Sequence, residues 1–174
     1  MRGLVIVYTG NGKGKTTAAL GQAIRAVGSG LKVLILQFIK GGQRYGELET
    51  LEILKNAGLT AEIRQCGLGF TSRGEKENHK AAAAETLKIA REEILSGKFD
   101  MIILDEINYA VKFGLLTEDE MLDLVKIRPP ELHLILTGRD ASEKLIEIAD
   151  LVTEMKAVKH PFEKGIKAQK GIEF

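Results

Sequence analysis

Residues Thr9-Gly10-Asn11-Gly12-Lys13-Gly14-Lys15-Thr16-Thr17 set three alternating glycines beside two lysines and a pair of adjacent threonine hydroxyls. Glycines in alternation let backbone N–H groups turn inward around an anion, because no Cβ blocks the approach. Lys15 supplies a full positive charge for phosphate oxygens, and Thr16 a hydroxyl suited to Mg²⁺. The strict pattern G-x-x-x-x-G-K-[ST] places glycine where this chain has Thr9, and Gly10 and Gly12 supply the missing freedom. A second acidic signal lies far along the chain, where the apolar run Met101–Leu104 leads into Asp105-Glu106. An acid at the end of a strand beside a phosphate loop binds Mg²⁺ directly or through water. Together the two motifs imply Mg-ATP or a similar nucleotide. They leave the reaction open: Glu106 is equally suited to activating water in an ATPase and to holding a metal in a transferase.

These groups work only if the chain brings them together. The short runs Leu4–Tyr8, Val33–Gln37, Met101–Leu104 and Leu132–Leu136 are near-continuously apolar, as buried parallel strands are. Ala61–Gln65 and Leu151–Glu154 are weaker strand candidates. Between them lie helical stretches: Lys15–Val27, stopped at Gly28; Glu75–Leu95, stopped at Gly97; Glu118–Val125; and Ser142–Ala149. In the second of these, Ala83, Leu87, Ala90 and Ile94 share one face. Strands alternating with helices predict an α/β fold, a mostly parallel sheet with helices on both faces. Such sheets bind ligands beyond the carboxyl ends of their strands, where both motifs stand.

Composition narrows the field. At 174 residues the chain suits one domain spanning residues 1–174, with no repeat and no Pro- or Ser-rich linker. Its 25 Lys and Arg against 24 Asp and Glu give a net charge of +1, which argues against a broad nucleic-acid surface. The lone Cys66 offers no internal disulfide and fits a reducing compartment. No apolar run approaches the roughly 18–20 residues of a bilayer span, nor the length of a signal-peptide core, so no membrane partner and a cytoplasmic location are expected. Glycine is enriched, 19 of 174 residues, where ordinary usage of about 7% would give about twelve. Nine of them, Gly10, Gly12, Gly14, Gly41, Gly42, Gly46, Gly67, Gly69 and Gly74, follow three of the expected strands, where close approach to a ligand would require them.

Longer strings carry a resemblance. They are Tyr8–Thr17, Gln37–Gly41, Gly46-Glu47, Gly69-Phe70-Thr71, Leu104-Asp105-Glu106, Arg128-Pro129, Thr137-Gly138-Arg139, Ala149-Asp150, Lys159-His160-Pro161-Phe162, Ala168-Gln169 and Gly171-Ile172. With them the chain resembles the P-loop type of ATP:corrinoid adenosyltransferase from Tyr8 to the C-terminus. The resemblance implies a single-domain P-loop NTPase-like fold. It also implies transfer of the 5′-deoxyadenosyl group of ATP to the Co(I) of a corrinoid, cobalamin or cobinamide, with release of triphosphate, in cobalamin synthesis or salvage. Because Co(I) is the nucleophile and carries no proton, no dedicated base is needed. ATP is implied to lie reversed in the loop, ribose toward the acceptor.

Carried over, Gly10, Asn11, Gly12, Lys13, Gly14, Lys15, Thr16 and Thr17 would hold the triphosphate. Lys15, Thr16 and Glu106 would be the catalytic group, and Thr16 and Glu106 nearest Mg²⁺ or Mn²⁺, with Asp105 the alternative ligand. Phe70 matches an aromatic on the lower face of the corrinoid, where it excludes the axial ligand; its other reading is a core aromatic. Ser72 stands where familiar members carry Trp, with Arg73 beside it. Familiar members also have a covering segment before the first strand, whereas here that strand begins by Leu4. A flavoprotein or ferredoxin-type reductant and a homodimer are implied as partners. Outside these strings, His133 reads as a satisfied core histidine, His79 as a solvated helix residue and Cys66 as structural, while His160 reads equally as rim of the site. The last twenty residues, five lysines against two glutamates, read as a solvated tail or as a cover over the triphosphate. An NTPase or small-molecule kinase of other specificity, and a nucleotide-gated corrinoid carrier, share the two motifs.

Overall fold

The computed structural model describes residues 2–42, 44–69 and 76–173. Six strands form one sheet: β1 (Val5–Thr9), β2 (Val33–Gln37), β3 (Ala61–Gln65), β4 (Met101–Asp105), β5 (His133–Thr137) and β6 (Leu151–Glu154). Their order is β3-β2-β4-β5-β1-β6, and every pairing is parallel. The helices are α1 (Lys15–Gly28), α2 (Gly46–Asn56), α3 (Lys76–Leu95), α4 (Ile107–Lys112), α5 (Glu118–Lys126) and α6 (Glu143–Ile148), followed by a 3₁₀ turn at Pro161–Lys164.

Alternation along the strands sends successive side chains to opposite faces. Ile6, Ile35, Ile103 and Ile135 pack with Ala19 and Ala23 of α1 and Leu51 of α2. Val7, Leu34, Leu36, Leu104 and Leu134 pack instead with Ala83 and Ala90 of α3, Ile107 of α4, Leu124 of α5 and Leu145 of α6. Both faces are therefore covered, which is why the central strands carry no polar alternation. At the edge, all four residues of β6 are exposed.

Details differ from the expectations above. Gly28 is the last residue of α1 and not its stop. The left-handed residue is Gly30 (φ +82°), and Leu31 N–H donates to Ala26 O while Gly30 N–H donates to Val27 O, which closes the helix end. Helices α2 and α4 were not expected. His79 is not solvated: it is buried at 4% exposure, one turn before Ala83 on the buried stripe of α3.

Glycine also serves another purpose than ligand approach. A Cβ on Gly41 would sit 1.7 Å from Gly67 O, and one on Gly67 would sit 2.2 Å from Ile39 O. The loops after β2 and β3 are thus pressed backbone to backbone, joined by Gly67 N–H to Lys40 O at 3.2 Å and Gly69 N–H to Ile39 O at 2.8 Å. At Gly42, Gly46 and Gly69 a Cβ would meet open space or only ordinary contact, and Gly74 lies outside the described residues.

Candidate active site

Strand order decides which side chains meet. Strand β5 lies between β1, which feeds the glycine loop, and β4, which ends in Asp105. Tyr8 pairs with Thr137 and Leu104 with Leu136, so the glycine loop, Thr137 and Asp105 emerge at one level of the sheet.

Gly10 (φ +93°) and Gly14 (φ +116°) take left-handed backbone that glycine adopts without penalty. Gly14 is the N-cap of α1, which has no side-chain cap and no acid in its first turn. The positive end of that helix therefore stays available to an anion. Lys15 is buried, and its Nζ donates to Gly10 O at 2.9 Å and Gly12 O at 2.8 Å. Burial pulls the Lys15 ammonium below the usual lysine range; Glu106 opposes the shift, and the charge of Arg139 adds to it. Behind the loop, Gly12 N–H donates to Met155 O at 2.6 Å, and a Cβ on Gly12 would lie 2.8 Å from that oxygen. Gly10 and Gly12 thus make room for the chain leaving β6.

Asp105 is the hub. Its side chain is 1% exposed, and Oδ1 accepts from Thr16 Oγ1 at 2.9 Å and from Thr137 Oγ1 at 2.8 Å. Its Oδ2 accepts from Gln37 Nε2 at 3.2 Å and lies 3.9 Å from Lys40 Nζ. Gln37 Oε1 is buried without a hydrogen-bond partner among the described residues. Glu106 follows with φ +62°, and its N–H donates to Thr137 Oγ1 at 2.9 Å. One threonine thereby fixes both acids. Burial, then the neighbouring Asp105 charge, raises the Glu106 carboxyl above the usual range, against Lys15, Lys40 and Arg139.

In front of these groups opens a cavity of about 420 Å³, within the usual range for a small-molecule site. Lys13, Gly14, Lys15, Thr16 and Thr17 line it, with Glu106, Lys40 and Glu47. Gly10, Asn11 and Gly12 belong to the loop but not to the cavity lining, and Asn11 is exposed. Asp105 stands behind Thr16. Phe70, Ser72 and Arg73 lie outside the described residues.

The tail divides unexpectedly. Gly171, Ile172 and Glu173 line the cavity, whereas the five lysines of the segment are all exposed to solvent. His160 accepts from Phe162 N–H through Nδ1 and caps the 3₁₀ turn; it is not among the lining residues. His133 accepts from Leu4 N–H at 3.2 Å, at the opposite end of the sheet from the cavity. Cys66 packs against the core, and burial raises its thiol above the usual range.

Roles assigned from the sequence omit Gln37, Lys40, Glu47 and Thr137. Gln37 and Thr137 end β2 and β5, and Lys40 follows β2 by three residues, so position at the strand ends was the available signal.

The family model described as ATP:corrinoid adenosyltransferase BtuR/CobO/CobP matches residues 1–174. A Corrinoid adenosyltransferase of Sinorhizobium sp is 43% identical over 99% of this chain and 81% of its own length. One of Escherichia coli (strain K12) is 40% identical over 99% of this chain and 86% of its own. Among solved structures, the RadB recombinase matches with a TM-score of 0.53 at 16% identity, covering 89% of this chain and 75% of its own. The flagellar accessory protein FlaH of Methanocaldococcus jannaschii matches at 0.54 and 14% identity, covering 88% and 71%. At such identities these structures speak for the P-loop NTPase-like fold alone.

Proposed function

The chain belongs to the ATP:corrinoid adenosyltransferase family, and on that premise we propose how its residues divide the work. The reaction moves the adenosyl group of ATP onto a corrinoid. The cobalt–carbon bond forms from the Co(I) electron pair, the C5′–O bond breaks, and its pair departs on a triphosphate oxygen. No proton is taken from the nucleophile. The protein's contribution lies in positioning C5′ and in stabilising charge on the leaving group.

The observation that carries this division is the hydrogen bond from Thr16 to Asp105, which closes the phosphate loop onto the acid of β4 in front of the cavity. Lys15 would exchange its two loop carbonyls for phosphate oxygens. The N–H groups at the start of α1 would hold the same anion, assisted by Lys13 and Thr17. The residues present also fit Mg²⁺, because the Thr16 hydroxyl and the Asp105 and Glu106 carboxylates are hard oxygen donors. Mg²⁺ characteristically takes one or two carboxylates and fills its shell with water and phosphate. Thr16 and Asp105 are already joined, so they are the favoured holders, with Glu106 at the cavity wall. Bound there, Mg²⁺ would neutralise triphosphate charge. Thr137 would keep both acids in place.

A homodimer and a flavoprotein or ferredoxin-type reductant rest on the resemblance, whereas residues 1–174 acting as one domain and a cytoplasmic setting rest on the length and apolar patterning of the chain. Among the described residues no helix is long and apolar enough to cross a membrane. The deciding experiment incubates the protein with ATP, Mg²⁺ and chemically generated Co(I) cobalamin, following the visible spectrum and assaying triphosphate. Formation of adenosylcobalamin with stoichiometric triphosphate is expected. ADP or phosphate as the product would replace this reading with that of a kinase or NTPase.

A further inference from the structure

Lys40 stands three residues beyond β2, and its side chain is only 15% exposed. Its Nζ lies 3.1 Å from Glu47 Oε1, 3.9 Å from Asp105 Oδ2 and 4.7 Å from the centre of the Tyr45 ring. An ion pair withdrawn from water regains in attraction about what its desolvation costs, so stability alone does not explain why this lysine is walled in. It lines the cavity together with Lys13, Lys15 and Thr16. Asp105 holds Thr16 through one oxygen and faces Lys40 with the other, so a single carboxylate separates the Lys40 ammonium from the hydroxyl of the phosphate loop.

Resting on the adenosyl-transfer reading above, we propose that Lys40 is a further catalytic residue, a cation that receives the charge appearing on the triphosphate as C5′ departs. The leaving oxygen gains a full negative charge in that step, and nothing in the reaction protonates it. A preorganised, half-desolvated ammonium answers such a charge more strongly than water does, because its orientation is already fixed. Glu47, at the start of α2, holds the ammonium until then; Tyr45 beneath it favours the cation through its ring face. As triphosphate charge grows, Lys40 exchanges Glu47 for phosphate oxygen, a charge-assisted contact of the same kind.

The proposal separates the two partners of one ion pair. Lys40→Met keeps the length and loses the charge, Lys40→Arg keeps the charge, and Glu47→Gln leaves Lys40 in place without its holder. Calorimetry with tripolyphosphate and with ATP, both with Mg²⁺ and without any corrinoid, reads binding, while single-turnover adenosylation reads the chemical step. For Lys40→Met we expect adenosylation to fall about 10²-fold and tripolyphosphate affinity to fall about tenfold more than ATP affinity. Lys40→Arg recovers most of both losses, and Glu47→Gln binds tripolyphosphate at least as tightly as the parent. Equal losses for ATP and tripolyphosphate, or a Glu47→Gln loss as large as that of Lys40→Met, overturn the proposal and leave Lys40 a structural partner. Melting curves check folding; should Lys40→Met fail to fold, Lys40→Gln takes its place in the same comparison. If the parent protein makes no cobalt–carbon bond, the adenosyl-transfer reading fails, and the binding comparison still decides whether Lys40 meets triphosphate.

Discussion

Thr16 and Asp105 are joined by a 2.9 Å hydrogen bond across 89 residues of chain, from the first turn of α1 to the last residue of β4. Neither residue reaches the other through its own element. The contact exists because β5 sits between β1 and β4 and ends in Thr137, whose hydroxyl donates to the same carboxylate oxygen. Replacing Asp105 with Asn removes the charge while keeping the shape. We expect adenosylation to fall by about 10²–10³-fold, the scale on which a preorganised electrostatic partner is lost. Thr16→Ser should retain most activity, because the hydroxyl is kept. Steady-state rates at saturating Mg²⁺ test the pair, and a Thr16→Ser loss as deep as that of Asp105→Asn would show that the hydroxyl is not what matters.

Lys15→Ala is expected to abolish formation of the cobalt–carbon bond while the fold survives. The side chain now satisfies Gly10 O and Gly12 O, carbonyls of buried loop residues, and its removal leaves those two carbonyls without that donor. Its charge is also held against burial, which pulls its ionisation down, so the folded state loses a costly desolvated cation along with two hydrogen bonds. Circular dichroism melting should shift by only a few degrees, whereas ATP binding by calorimetry should vanish. Full turnover in the variant would remove the phosphate loop from the site.

The central strands were legible because burial on both faces writes itself as an unbroken apolar run, as in Val33–Gln37, which forms over the residues expected. Ala61–Gln65 and Leu151–Glu154, at the two edges of the sheet, also form where expected but without such a run. Helix α2 was not legible. It starts on Gly46, its N-cap Tyr45 supplies no side-chain cap, and only Leu51 along its length is buried. Helix α4 has six residues, begins directly behind the left-handed Glu106, and owes its existence to the burial of Ile107, Asn108 and Ala110. Local propensity says little about an element held by tertiary contact. The charged neighbours of His79 suggest a solvated face, although the spacing 79, 83, 86, 90, 94 of the buried residues is helical and places it on the inner stripe. In the site, the loop lysine and the two acids were readable as motifs. Gln37, Lys40 and Thr137 stand at or just past strand ends, but that they converge on Asp105 follows from strand order, which no single segment encodes.

Phe70 gives a prediction that rests on the family resemblance and on the residues next to it. Gly69, its neighbour, is tied by its N–H to Ile39 O, in the loop that carries Lys40. Phe70→Ala should slow adenosylation of cobalamin more than that of cobinamide, which lacks the nucleotide lower ligand. Parallel single-turnover assays on the two corrinoids measure the ratio. Equal losses would assign Phe70 to the core and not to the lower face of the corrinoid.

Two glycines test the backbone packing that positions Lys40. Gly41 has no room for a side chain, since a Cβ there would meet Gly67 O at 1.7 Å and Gly67 C at 2.6 Å, both backbone atoms of the neighbouring loop. Gly41→Ala must therefore spread the loops after β2 and β3, breaking the bonds from Gly67 N–H to Lys40 O and from Gly69 N–H to Ile39 O. A loss of about 2–4 kcal/mol is expected, from two strained or broken hydrogen bonds plus overpacking. Gly21 presents the opposite case. It lies inside α1 with nothing within 4 Å of a Cβ, and its backbone is not left-handed. Gly21→Ala should raise stability by about 0.5–1 kcal/mol, through helix propensity and a less flexible unfolded chain. Urea unfolding of the two variants measures both signs. Because Lys40 moves with the first loop, Gly41→Ala should also weaken tripolyphosphate binding in whatever fraction remains folded, while Gly21→Ala leaves it unchanged. A Gly41→Ala protein as stable as the parent would mean that the two loops are free to part, and the fixed position of the Lys40 ammonium would lose its support.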